Sequence, residues 1–184
     1  MRTTHITLNL NARLQPMHRG EYFEDAIDEK LSKARIGKID GGGTLMSKSG
    51  EVDNCDIEIT LSGSPKKSLP KLLSILESVP IPKGSKLLIA DRSPLGIGDK
   101  EGLALYLNGT KLPDDVYATC DINLVVEKTG ELLGEKGCLL SYWEGPEDTA
   151  LYFYGDSFDE MNSLIKPFLE SYPLCQKCRV KRIA

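Results

Sequence analysis

Two stretches of the chain run through the same succession of apolar periodicities, and no other feature limits the fold so strongly. Shifting the 184-residue sequence by 93 positions lays one half on the other without a gap. Leu10, Ala12 and Leu14 fall on Leu103, Leu105 and Leu107; Phe23, Ile27 and Leu31 fall on Val116, Cys120 and Leu124. Leu72, Ile75 and Leu76 fall on Ile165, Phe168 and Leu169, and Leu76-Glu77-Ser78-Val79-Pro80 falls on Leu169-Glu170-Ser171-Tyr172-Pro173. Identity is low, so what repeats is the apolar phase. A duplication assigns one unit to residues 1–92 and a second to 93–184. Asp91–Glu101, with Ser93-Pro94, Gly96 and Gly98, is the natural joint, and its shortness predicts closely packed halves.

Within the first half, Ile6, Leu8, Leu10, Ala12 and Leu14 alternate with polar residues, the period of a half-buried strand. Phe23, Ile27 and Leu31 then form one stripe of a helix over Gly20–Ala34. Gly41-Gly42-Gly43 is expected to end that element, and Thr44–Lys48 to make a second strand. Cys55, Ile57, Ile59 and Leu61 alternate again, Ser64-Pro65 opens a helix, and Lys86–Ala90 closes the unit as a strand. The second half repeats the order: Leu103–Leu107, a helix opened by Pro113-Asp114-Asp115, Cys138–Trp143, Thr149–Tyr154, a helix over Ser157–Ser171, and Cys178–Ile183. Ile122–Val126 has the β-branched content of a strand, and only the repeat makes it helical. The expected fold is α+β, a tandem pair of β-α-β-β-α-β units of the ferredoxin-like plait, each sheet covered by helices on one face.

Charge divides unevenly along the chain. Residues 1–92 carry 14 basic and 12 acidic side chains, whereas residues 93–184 carry 9 and 15. An acidic half repels nucleic acid and attracts basic partners, so direct nucleic-acid binding is disfavoured. No apolar run reaches the length a membrane helix needs, and the polar–apolar alternation at the N-terminus is not that of a signal peptide. Five cysteines in a chain long enough to build a core favour reduced thiols, and hence a cytoplasmic protein, over a disulfide framework.

Catalytic signatures are weak, and no cofactor or metal site is expected. Cys175-Gln176-Lys177-Cys178 has C-x-x-C spacing, but it follows a helix, the wrong end for a stabilised thiolate. A zinc site would need further ligands from Cys55, Cys120, Cys138, His5 and His18, and the expectation is ordinary semi-buried cysteines. Gly41–Gly43 lacks the strand–loop–helix context of a phosphate cradle. Asp56 and Glu58 share one strand face and support at most a carboxylate-based enzyme; without a nucleophile or histidine in phase they read as a solvated face.

The halves differ most at their third strands. Cys55, Ile57 and Ile59 oppose Asp56, Glu58 and Thr60, whereas Thr149-Ala150-Leu151-Tyr152-Phe153-Tyr154 is apolar on both faces. Eight of the twelve aromatics fall between residues 142 and 172, among carboxylates. Aromatics ringed by charge have the composition of an interface, though the same face also suits packing against the first half. The leading expectation is a non-enzymatic, acidic protein-binding module with Tyr142, Trp143, Glu144, Glu147, Asp148, Asp156, Phe158 and Asp159 as its partner-binding residues. Size and charge are those of inhibitor or immunity-type proteins that neutralise a basic partner such as a toxin nuclease. The alternative is a small-molecule-sensing regulatory protein with a ligand cleft between the two plaits.

Overall fold

The structure is a computed structural model, and it describes residues 3–184. The chain divides into two compact units, one of residues 1–47 and 52–99, the other of residues 48–51 and 100–184.

In the first unit, β1 (Thr3–Leu10) buries Ile6, Leu8 and Leu10 and turns His5, Thr7 and Asn9 the other way, as period-2 alternation requires. Strands β2 (Gly37–Met46), β3 (Val52–Ser62), β4 (Ser85–Ile89) and β5 (Leu95–Ile97) join it in the antiparallel order β2-β3-β1-β4-β5. Two helical stretches cover one face. The first runs through α1 (Pro16–Arg19), a π turn (Gly20–Glu24) and α2 (Asp25–Ala34), which contribute buried Phe23, Ile27 and Leu31. The second, α3 (Pro65–Glu77), starts at the expected Ser64-Pro65 and buries Leu72 and Leu76.

Three sequence expectations need correction here. The first helical stretch begins at Pro16 rather than Gly20, so Ala12 and Leu14 are buried outside any strand. It ends at Ala34, where Arg35 takes a left-handed conformation (φ 53°). Gly41–Gly43 therefore do not end a helix; they lie inside β2. At Gly42 a Cβ would come within 2.5 Å of the Asp56 carbonyl and 2.9 Å of Arg19 Nε. The bare strand thus leaves room for Arg19, which is almost fully buried. Its Nε donates to Glu24 at 2.6 Å, and its Nη1 donates to the Gly43 carbonyl and the Thr44 hydroxyl, both at 2.8 Å. The segment read as a joint contains β5, a fifth edge strand.

In the second unit, β6 (Glu101–Asn108), β7 (Gly137–Glu144), β8 (Asp148–Gly155) and β9 (Arg179–Arg182) take the order β7-β8-β6-β9. Helices α5 (Ile122–Leu133) and α6 (Phe158–Ser171) cover one face, preceded by a short α4 (Asp114–Thr119). Ile122–Val126 is helical despite its β-branched content. The Asp121 side chain caps it by accepting from Asn123 N–H at 2.8 Å, and Val125, Thr129 and Leu133 form its buried stripe. Leu103, Leu105, Leu107, Leu151, Phe153, Met161 and Ile165 form the core beneath these helices.

Numbered by role, both units have the strand order 2-3-1-4 of the ferredoxin-like plait, and the tandem α+β architecture follows. The gapless register does not hold throughout. Leu72 and Leu76 do match Ile165 and Leu169 as the buried residues of α3 and α6. But Leu10 ends β1 beside Cys55, whereas Leu103 is third in β6 beside Phe153. The stripe Phe23, Ile27, Leu31 is answered by Val125, Thr129, Leu133 rather than Val116, Cys120, Leu124. The extra chain around α4 delays the second unit's helix.

Candidate functional site

Among the described residues only the first sheet has a fifth strand, and that strand builds a pocket. Leu73, Leu76 and Glu77 of α3 face the segment Val79–Ile81 and the stretch Leu95–Asp99 across a cavity of about 430 Å³. That volume lies within the range of about 300–1,000 Å³ typical of small-molecule sites. Leu76, Val79 and Ile81 are buried and give it an apolar floor, while Leu95 on β5 is 43% exposed at its mouth. The carboxylates Glu77 and Asp99 are exposed at its edge. The loop is locked by Gly98: its φ is +90°, a Cβ there would sit 2.2 Å from the Pro82 carbonyl oxygen, and Asp99 N–H donates to the Ile81 carbonyl at 3.1 Å. The sequence signal was present in Gly96 and Gly98, but their composition read as a linker.

The open face of the first sheet is polar, as Asp56 and Glu58 foretold. Both carboxylates are held by neighbours on the same face: Asn9 Nδ2 donates to Asp56 at 2.7 Å, and the Thr7 hydroxyl donates to Glu58 at 3.0 Å. His5, near the start of β1, joins a chain of partners. His5 Nδ1 lies 2.9 Å from the Thr60 hydroxyl. Asp40 is held below the ordinary carboxylate range by Lys38, 2.6 Å away, and by the Thr60 hydroxyl. Among the described residues no group of three or more His, Cys, Asp or Glu side chains could hold a metal ion.

The expected partner-binding residues all lie in the second unit, spread over β7, the turn to β8, and the start of α6. Tyr142 (42% exposed) and Glu144 are exposed on the edge strand β7, with Trp143 half-buried between them. Its ring packs over Gly145, where a Cβ would come within 2.0 Å of it. Glu147 and Asp148 lie at the β7–β8 turn, and Asp156, Phe158 and Asp159 around the start of α6. Four of the carboxylates have basic neighbours. Asp148 pairs with Arg179 at 2.6 Å, Asp156 with Lys100 at 2.6 Å, Asp159 with Arg182 at 3.2 Å and Glu147 with Lys111 at 3.5 Å. Arg182 also stacks 4.6 Å from the Phe158 ring centroid. These pairs offset much of the local negative charge, which a linear count of acids does not register.

The apolar second face of β8 is not open. Tyr152 and Tyr154 are buried, and so are Tyr106 and Ala104 beside them on β6. In this unit the turn of residues 48–51 lies on that face: the Tyr106 and Tyr152 hydroxyls both donate to Glu51 Oε1, at 2.5 and 2.7 Å.

Fold and pocket together define a tandem ferredoxin-like protein whose first plait holds a ligand-sized cavity between α3 and β5. No family model matches the chain, and no curated protein matches it. Among solved structures it is similar to a candidate monooxygenase from Lactobacillus acidophilus NCFM, at 11% identity over 100% of this chain and 95% of that one, with a TM-score of 0.32. It is also similar to a candidate glycine cleavage system transcriptional repressor (12% identity, 99% and 97% covered, TM-score 0.29). The regulatory subunit of aspartate kinase from Thermus thermophilus is a third such structure (12%, 91% and 97%, TM-score 0.26). At these scores the likenesses carry no argument about function. No helix among the described residues is long and apolar enough to cross a membrane.

Proposed function

We propose that the protein is a non-enzymatic, ligand-binding regulatory protein that takes a small, largely apolar molecule into the cavity between α3 and β5. The observation that carries this reading is β5 itself. It is a strand with no counterpart in the second sheet, and it walls a cavity of about 430 Å³ with a buried apolar floor. The pocket lies inside the first plait. A thermal-shift screen of small apolar compounds tests it, with Leu73→Trp as the cavity-filling control. Ligands should raise the Tm of the wild type and leave the variant unmoved. Hits that stabilise both proteins equally, or no hits at all, would count against the pocket.

Capture of a basic protein is the second reading, favoured by exposed Tyr142 and Glu144 on the edge strand β7. Nothing in the geometry singles out an inhibitor or immunity role within it. Glu144→Lys should slow association with a captured basic partner, and Trp143→Ala should shorten the complex lifetime. Unchanged kinetics in both variants would move the interface elsewhere.

A further inference from the structure

We propose that Cys175 and Cys178 form a reversible disulfide, a thiol modification site built into the turn that leads into β9. Cys175-Gln176-Lys177-Cys178 is a closed turn, with the Cys178 N–H donating to the Cys175 carbonyl at 3.1 Å. Gln176 at φ −61° and ψ 138°, followed by Lys177 at φ 59°, gives the two central residues of a type II turn. Such a turn keeps its first and fourth Cα atoms within about 7 Å. Disulfides span Cα separations of about 4.4–6.8 Å, a range that the turn's own Cα separation overlaps. Lys177 holds a left-handed conformation that favours glycine, and its ammonium donates to the Lys111 carbonyl at 2.7 Å, which ties the turn down.

Both thiols belong to one environment. Cys175 is a buried member of the second unit's core, and Cys178 packs against the same cluster. Cys120 packs there too, but it follows α4 and lies outside the turn that joins Cys175 to Cys178. The pair is not the low-pKa redox centre that C-x-x-C at a helix start would make. Burial raises both thiols, so at neutral pH little thiolate is present and oxidation is slow. The site responds to sustained oxidising conditions rather than turning over as a catalyst.

With glutathione disulfide as the oxidant the chemistry closes. The half-buried Cys178 loses its proton to solvent, and its thiolate attacks one glutathione sulfur. A mixed disulfide forms and one glutathione leaves as the thiolate. Cys175 loses its proton in turn and attacks the Cys178 sulfur, expelling the second glutathione. Two protein thiols are oxidised, and one glutathione disulfide is reduced to two glutathione molecules.

The test incubates the whole chain with excess glutathione disulfide at mildly alkaline pH, alkylates the remaining thiols, and maps tryptic fragments by mass. Trypsin cleaves after Lys177, so a bridge would hold together two fragments that otherwise separate. The expected result is loss of two of the five thiols, a linked pair across Lys177, and reversal by dithiothreitol. Cys120→Ser should form the bridge as wild type does, and Cys178→Ser should not form it. Five alkylated thiols, under conditions that fully oxidise a free C-x-x-C peptide, would overturn the proposal. So would a linkage through Cys120.

Discussion

Replacing Gly98 with alanine should detach β5 without unfolding the sheet. An alanine held at φ +90° costs about 1–2 kcal/mol on conformational grounds. The new Cβ would also lie 2.2 Å from the Pro82 oxygen and 2.7 Å from the Ile81 oxygen, and overpacking of that kind adds about 1–3 kcal/mol. Against this strain stands little. β5 pairs with β4 over three residue positions, and Asp99 adds one hydrogen bond to Ile81. At about 1 kcal/mol net for each position and for the added bond, that is about 4 kcal/mol. Strain and attachment are comparable, so the strand should release and the global loss should stay below about 4 kcal/mol. Hydrogen exchange should show lost protection confined to Leu95–Asp99, urea denaturation should show a modest drop, and any ligand of the pocket should bind far more weakly. Wild-type exchange rates at these amides would refute the reasoning, as would a collapse of the whole domain.

Two further outcomes follow from buried groups in the second unit. Glu51→Ala leaves the Tyr106 and Tyr152 hydroxyls without the acceptor they share and should cost about 2–3 kcal/mol. Glu51→Gln retains an acceptor and should cost about 1 kcal/mol, a ranking that urea denaturation can check. Cys175 is pushed up from 9.0 to about 12, chiefly by burial and then by Cys178 and Cys120. Its folded-state value is raised, so the unfolded thiol ionises first. Stability in reducing buffer should be complete below pH 9.0 and fall between there and about 12. A slope of about 1 kcal/mol per pH unit is expected, discounted from the full ~1.4 for partial solvent screening. A Cys175→Val variant with the same alkaline slope would show that another group is responsible.

Topology was legible in the sequence because apolar phase has only two common periods, and each element displays one of them. The same economy misled the alignment. A helix stripe repeats every three or four residues, so Phe23, Ile27 and Leu31 could fall on Val116, Cys120 and Leu124 by coincidence of phase. α3 and α6 matched truly because nothing intervenes between each helix and the strand before it. The pocket was hidden for a different reason. β5 offers three residues, two of them Leu95 and Ile97 around a glycine, and its existence depends on pairing with a strand already in place. The acidic–aromatic region was legible in composition, but ion pairs such as Asp148 with Arg179 join residues 31 positions apart, and linear charge counting cannot see them.

The π turn of residues Gly20–Glu24 has a geometric consequence for Arg19. A single π turn accommodates one residue more than an uninterrupted α-helix would. Each residue advances a helix by about 100°. Deleting one residue from this turn would restore regular winding and swing everything on its N-terminal side by about that angle. Arg19 would then point away from the bare glycines of β2, and Glu24 would remain with its charge unanswered. The odd residue is therefore an angular spacer, setting the direction in which the first turn of the helix aims its one buried cation.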